Sequence, residues 1–318
     1  MAVRRRVGAC SLRAFLVGGV SVLFFRPAVL LSIAVLALGA TACDNSSKNA
    51  GELRDDFGNT ISLADNAPRR IVSLSPATTE LVFTLGGGSR LVGRSKYDQS
   101  PDSATLVPDL GDGIRPNVEA VLGTRPDLVL LYASQENRPA ADRFRAAGIN
   151  TLSLRTNSIA DFRRVTGLLG AILRDTARAR TVIDSVQGTL DRVRAATAGA
   201  TRPTVFWHIW DSPLITIGSG SFMNELVDVA GARNVYADIT GASGQIGLED
   251  VARRDPDFIL AGPEGARQIR SDSRWRIVRA ARDGKIVVVD TTLVGRPSVR
   301  LGEAAVFLAN ALHPGIVR

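Results

Sequence analysis

A thirteen-residue pattern occurs twice in this chain, 130 residues apart, and it constrains the fold more than any other feature. The first copy runs Glu119-Ala-Val-Leu-Gly-Thr-Arg-Pro126-Asp127-Leu-Val-Leu-Leu131. The second runs Glu249-Asp-Val-Ala-Arg-Arg-Asp-Pro256-Asp257-Phe-Ile-Leu260-Ala261. Glutamate and proline are seven residues apart in both, and five of the thirteen positions are identical. In the first copy Asn117 is placed to cap a short helix, with Glu119 in the first turn, where the helix dipole favours a carboxylate. Proline disfavours helix at the residue before it and ends the element. The apolar run that follows reads as a buried parallel strand. A helix–strand unit used twice at this distance predicts two lobes of similar build.

Other segments fit around this pair. Ile71-Val-Ser-Leu74 is a short buried-strand run, and Ser75-Pro76 opens a helix that Gly86-Gly-Gly88 ends. The glycines follow that helix instead of preceding it, so the unit lacks a dinucleotide fingerprint. Glu52–Leu63 alternates around Phe57-Gly58-Asn59-Thr60 as a small hairpin. Between the copies, Ser158–Ala198 carries a helical stripe: Ile159, Phe162, Val165, Leu169, Ile172 and Leu173, then Ile183, Val186, Leu190 and Val193. Asp175-Thr176 marks a restart, and a helix over 176–197 is about 33 Å long, a stiff connector. The second lobe is expected to open with a strand over Thr204–Trp210, placing Phe206, His208 and Trp210 on one face. Leu214–Ile217, a helix ending at Ala230, a strand over Lys285–Asp290 and a helix over Leu301–Leu312 follow.

The formal charge of +8 would support a nucleic-acid partner if it were spread over the fold. It is not: residues 1–43 hold five arginines and no acid, leaving 34 basic against 31 acidic side chains in the rest. No nucleic-acid partner is therefore expected. Two apolar stretches, Ala14–Phe25 and Ala28–Ala42, are split by Arg26-Pro27, and each falls short of the roughly 20 residues that span a bilayer. The second has the form of a secretory signal and closes on Leu38-Gly-Ala-Thr-Ala-Cys43, which resembles a bacterial lipoprotein cleavage site with Cys43 as the acylated residue. Ala40 departs from the leucine usual there, and Ala40-Thr-Ala42 also suits an ordinary signal peptidase. Both cysteines, Cys10 and Cys43, lie in this leader, and the only histidines are His208 and His313. The body thus has no disulfide and too few soft ligands for a bare transition-metal site, so a bound metal is expected to arrive already chelated. No cofactor of its own is expected.

The chain resembles the substrate-binding proteins of ATP-driven importers for vitamin B12, ferric siderophores and haem, the group with a helical backbone between lobes. The segments that carry the resemblance are Arg70-Ile-Val-Ser-Leu-Ser-Pro76 with Thr79-Glu80, Pro116–Leu130, Ser221–Asn234, Gly247–Leu260 and Arg296-Pro-Ser-Val-Arg300-Leu. It implies an α/β fold of two Rossmann-like lobes joined by one long rigid α-helix, the class III periplasmic-binding-protein fold, with a ligand cleft at strand C-terminal ends. The domains expected are a signal peptide over 1–43, a tether and hairpin over 44–68, an N-terminal lobe over 69–157, linking helices over 158–198 and a C-terminal lobe over 199–318. The implied protein is a monomer on the outer face of the cytoplasmic membrane or in the periplasm, held by a lipid anchor. Its implied partners are a small-molecule metal chelate and an ABC transporter permease dimer with its ATPase subunits.

The resemblance also implies residue roles. Glu119 and Glu249 fall where one acid on each lobe docks into arginine pockets of the two permease subunits. Tyr97 and Tyr132 fall on cleft positions that hold aromatics in the family, although the usual Tyr-Pro is here Tyr97-Asp-Gln-Ser-Pro101. From its own strand position Trp210 is placed to offer a flat ring to a macrocycle or an aromatic chelator, and Arg296 or Arg300 to meet a carboxylate or phosphate. Vitamin B12 binders carry tryptophan six residues before the second docking glutamate, where this chain has Ser243. On that ground ferric siderophore stands ahead of corrinoid, and corrinoid ahead of haem. The alternatives are an envelope hydrolase and a surface adhesion module of the same two-lobed fold. Gly218-Ser-Gly-Ser221 is not a nucleophile elbow and His208 is the one candidate base, so no enzyme is expected.

Overall fold

The structure, a computed structural model, describes residues 53–61 and 66–317. Cys10, Cys43 and the rest of the expected leader lie outside the described residues. The expected hairpin is present as two short antiparallel strands, β1 (Leu53–Arg54) and β2 (Thr60–Ile61). Asp55 fastens it to the body: its carboxylate accepts from the Ser153 amide at 3.2 Å and pairs with Arg145 at 2.7 Å.

The N-terminal lobe is a four-stranded parallel sheet of β3 (Ile71–Ser73), β4 (Leu91–Arg94), β5 (Leu128–Tyr132) and β6 (Asn150–Leu154), in the order β4-β3-β5-β6. Its strands are apolar on both faces because both are covered, as parallel sheets require. One face carries α1 (Pro76–Thr84), and the other packs α2 (Val118–Gly123) and α3 (Arg138–Ala146), where Val72, Val129 and Leu131 meet Val121 and Phe144. The link begins with α4 (Ile159–Leu173) and continues as α5 (Thr176–Thr197), which has the bounds expected from its stripe. Ser158 and Asp175 cap these helices, accepting from the Asp161 and Arg178 amides.

In the C-terminal lobe, β7 (Thr204–Asp211) pairs antiparallel with β8 (Leu214–Ile217), and α6 (Phe222–Val229) and β9 (Arg233–Asn234) follow. Next come β10 (Ser243–Gln245), α7 (Leu248–Arg254), β11 (Phe258–Ala261), α8 (Pro263–Ser271), α9 (Arg279–Arg282) and β12 (Ile286–Val288). The sheet order is β10-β8-β7-β11-β12, with β9 beside β7. β7, β11 and β12 run parallel, while β8 and β10 form an antiparallel edge. The lobe closes with α10 (Thr291–Val294) and α11 (Leu301–Leu312).

One hydrophobic cluster runs through both lobes by way of α5. Ile71, Leu81 and Leu169 join it at one end, Leu226, Leu301 and Leu308 at the other, and Val186, Leu190 and Val193 on the helix lie between. Two glycines let α5 approach closely: a Cβ at Gly170 of α4 would strike Ala179, and one at Gly302 of α11 would strike Thr189. Each fully buried leucine or valine here contributes about 1.5–3 kcal/mol, so bending the helix away from either lobe would expose a costly surface.

The repeated pattern is also a repeated structure. Arg125 and Asp255, the residues before the two prolines, both take positive φ, at 50° and 44°, so each helix has ended before its proline. The aspartates after the prolines then tie the start of one strand to its neighbour. Asp127 accepts from the Arg69 and Arg70 amides at 2.7 and 3.0 Å, and Asp257 accepts from the Thr204 amide at 2.9 Å. The amides of the two aspartates donate back to the carbonyls of Arg70 and Thr204. This explains why Pro-Asp recurs as a pair: proline ends the helix and aspartate sets the register of the strand that follows.

Candidate functional site

A cavity of about 570 Å³ lies between the lobes. The N-terminal lobe contributes from the C-terminal ends of all four strands: Leu74 and Ser75 follow β3, Ser95 follows β4, Tyr132 ends β5, and Thr156 and Asn157 follow β6. The C-terminal lobe closes it with Ser221 and Phe222 at the start of α6, Ala242, and the run Gly295-Arg296-Pro297. Open α/β sheets bind ligands at this edge, because the loops there converge and helix N-termini point inward.

The two tyrosines expected in the cleft both line it. The Tyr132 hydroxyl donates to Asn157 Oδ1 at 2.8 Å. Tyr97 is held at the rim, with its hydroxyl 3.5 Å from Asp112 Oδ2 and Lys96 Nζ 4.9 Å from the ring centre. Behind it lies a buried polar chain that the sequence did not reveal. Asp98 is wholly buried and accepts from Thr79 Oγ1 at 2.5 Å, Ser95 Oγ at 2.6 Å and the Ser95 amide at 3.2 Å. Burial pushes the Asp98 carboxyl above its ordinary range, and these hydrogen bonds only partly hold it down. The arrangement fixes the loop that carries Tyr97, since Ser95 Oγ also accepts from the Tyr97 amide at 3.3 Å.

Arg296 lines the cavity too, and among the described lining residues it alone bears a formal charge. Its charge is already engaged. Arg296 Nε lies 3.3 Å from Glu80 Oε2 on α1, an ion pair that joins the two lobes. Glu80 is 3% exposed, and burial raises its pKa while the Arg296 charge and hydrogen bond oppose the rise. The cleft therefore presents hydroxyls, an amide and apolar surface, with its one cation turned to an internal partner.

Trp210 does not join this cavity. The expected alternation along β7 fails because the pairing with β8 shifts register between His208 and Trp210. A bulge of this kind turns the next side chain to a different direction. Phe206 and His208 stay in the core, while Trp210 stands 60% exposed over a separate hollow. His208 is a structural residue: its Nε2 lies 2.9 Å from Asp211 Oδ1, and its other ring edge packs against Gly265. Among the described residues no group of His, Cys, Asp and Glu side chains is arranged to hold a metal ion.

Glu119 and Glu249 sit in the first turns of α2 and α7, both exposed. Asn117 caps α2 as expected, accepting from the Ala120 amide at 3.1 Å. The two carboxylates differ in surroundings. Glu119 bonds to Arg143 Nη2 at 2.6 Å, whereas Glu249 has no ion pair among the described residues and borders a shallow hollow containing Leu248, Arg274 and Ile277.

The periplasmic binding protein family model matches residues 71–293, which takes in both sheets, the α5 connector and nearly all of the cavity. The chain belongs to the periplasmic binding protein family. A cobalamin-binding protein of Halobacterium salinarum is 30% identical over 277 residues, covering 81% of this chain and 73% of that one. An uncharacterized ABC transporter substrate-binding lipoprotein of Bacillus subtilis, YvrC, is 28% identical and covers 90% of this chain and 96% of its own length. Among solved structures, the periplasmic vitamin B12 binding protein of Vibrio cholerae superposes with a TM-score of 0.70 at 20% identity, covering 77% of this chain and 97% of that one. That likeness concerns the fold: two α/β lobes about a helical connector, as the segments quoted from the sequence implied. No helix among the described residues is long and apolar enough to cross a membrane.

Proposed function

We propose that this protein is the extracytoplasmic substrate-binding component of an ABC importer and that its ligand is a metal chelate of the corrinoid type. The observation that carries the reading is the interlobe cavity, whose single cation is committed to Glu80. Ferric siderophores of the anionic kinds and haem, with its two propionates, call for unpaired cations in the cleft, and haem further favours an axial imidazole. A corrin ring carries uncharged amide side chains, which suit a lining of serine, threonine, asparagine and tyrosine with apolar surface between. The cobalamin-binding relative supports the same choice. Corrinoid accordingly moves ahead of ferric siderophore, despite Ser243 standing where vitamin B12 binders have tryptophan.

In this reading Tyr97 and Tyr132 meet the ligand, Arg296 shapes the cleft floor, and Glu119 and Glu249 dock on arginines of a permease dimer that works with ATPase subunits. Cys43 is the acylated first residue of the mature protein and holds a monomer at the membrane's outer face; its change to serine should release the protein to the soluble fraction. A hydrolase reading lacks a base, because both edges of His208 are engaged within the fold.

Thermal unfolding of the purified protein with cyanocobalamin, haemin or a ferric siderophore tests the ligand. A ligand at 100 times its Kd adds about 2.7 kcal/mol to the folded state, a readily measured rise in Tm. A rise with cyanocobalamin alone is expected. A rise with haemin or the siderophore instead would replace the corrinoid, and none with any chelate in large excess would overturn the importer reading.

A further inference from the structure

The hollow under Trp210 measures about 710 Å³ and lies wholly within the C-terminal lobe, where β7 and β11 end and α8 and α10 begin. Met223, Pro263, Val294 and the Trp210 indole give it apolar walls. It adjoins the interlobe cavity: Gly295 lines both, and of two successive residues Phe222 lines the cavity and Met223 the hollow. A side chain at Gly295 would run into the Thr291 carbonyl oxygen, so at this shared position no side chain stands between the two spaces.

Three features define what fits there. Trp210 is the most exposed of the three tryptophans, the others being nearly buried, and no ring in the described residues stacks on it. Its Nε1 donates to the Ser212 carbonyl at 3.1 Å, which holds the ring in place as a platform instead of leaving it to swing. Of the charged groups that line it, Arg267 bonds to Glu264 and Asp211 is held by His208. A rigid indole face beside apolar walls, with each lining charge already partnered, favours a flat and neutral ring system.

We propose that this hollow takes a planar heteroaromatic group tethered to the ligand in the main cavity, stacked on Trp210. The proposal rests on the corrinoid reading, since a complete corrinoid carries a benzimidazole on a nucleotide tether beside its macrocycle.

The test compares affinities for cyanocobalamin and for dicyanocobinamide, which has the same macrocycle but no benzimidazole nucleotide. The parent protein should bind cyanocobalamin about tenfold more tightly, the equivalent of about 1.4 kcal/mol, within the range of ring stacking on an aromatic side chain. Trp210→Ala should bring cyanocobalamin to the cobinamide level, and Trp210→Phe should recover part of the difference. Met223→Trp, which fills the hollow from another wall, should abolish the difference without touching Trp210. If both corrinoids bind equally well to the parent, or if Trp210→Ala weakens both alike, the hollow is not a ligand compartment while the corrinoid reading stands. If neither corrinoid binds, that reading falls and this proposal falls with it.

Discussion

Removing the Arg296 side chain isolates what the interlobe ion pair does. Glu80 is 3% exposed and Arg296 keeps about a fifth of its side chain in water, so Arg296→Ala strands a buried carboxylate. Breaking one partner of a buried pair costs roughly 3–5 kcal/mol; the partial access of water at Arg296 reduces that to about 2–4 kcal/mol near neutral pH. The sign of the pH dependence follows from Glu80. Its carboxyl is raised above the ordinary 4.5 by burial, so the folded state holds this proton more tightly than the unfolded chain. The stability it contributes is complete below the ordinary value and is lost as pH rises through the raised one. Without Arg296 the rise is larger, and the carboxyl takes up a proton at a higher pH. The deficit of Arg296→Ala should therefore be greatest near pH 7.5 and shrink as pH falls towards about 4.5, because a neutral carboxyl needs no cation. Urea unfolding of parent and variant across that range measures it. The double change Glu80→Gln, Arg296→Met, which leaves no stranded charge, should cost less than the single change. A deficit that does not vary with pH, or a double variant as unstable as Arg296→Ala, would mean that lost packing and not charge is at work.

Four further outcomes are expected. Glu119→Ala with Glu249→Ala should leave ligand affinity within about twofold and abolish uptake in a reconstituted importer; a loss of affinity would remove these residues from docking. Arg143→Ala frees Glu119 from an exposed pair worth about 0–1 kcal/mol, so permease affinity should change by at most roughly fivefold, measured by surface binding. Asp98→Asn keeps an acceptor for Thr79 and the Ser95 amide and removes a buried charge, so it should be at least as stable as the parent at neutral pH and lose that advantage as pH falls through the raised carboxyl range, whereas Asp98→Ala should cost about 1.5–3 kcal/mol in urea unfolding. Gly113→Ala drives a Cβ into the Leu74 carbonyl oxygen at the cleft floor and should cost about 1–3 kcal/mol along with ligand affinity, read by unfolding and by titration.

The parts of the molecule that were legible in the sequence are those whose cause is local. The α5 helix has its expected bounds because Asp175 caps it and an unbroken apolar stripe defines its buried side. The closing helix Leu301–Leu312 is likewise where its pattern puts it. The strand expected over Lys285–Asp290 is shorter, Ile286–Val288, because the Lys285 amide closes the turn after α9 on the Ala280 carbonyl and Asp290 caps α10. The single face expected for Phe206, His208 and Trp210 fails for a different reason: alternation assumes an unbroken ladder, and a bulge set by the partner strand leaves no trace in the spacing. The Glu80–Arg296 pair was out of reach, since its partners are 216 residues apart and meet only when the lobes do. A buried acid in the middle of the otherwise uncharged helix Pro76–Thr84 was the available signal.

The same distinction separates the two functional surfaces. Glu119 and Glu249 each ride on a unit whose proline and aspartate dictate its backbone, so a short string places the carboxylate on the lobe surface in both copies. The proposed two-fold partner needs this equivalence, and the chain supplies it through backbone rules that hold for any ligand. The cavity obeys no comparable rule. It is assembled from the ends of strands whose loops differ in length, and its chemistry lies in what those loops omit: unpaired cations, a metal-ready histidine and any side chain at Gly113 or Gly295. Omissions of this kind acquire meaning only after the fold has brought their neighbours together. The surface that carries Glu119 and Glu249 can thus persist while loop substitutions reshape the cavity, because each glutamate sits in the first turn of its helix and away from the strand ends that line the cavity.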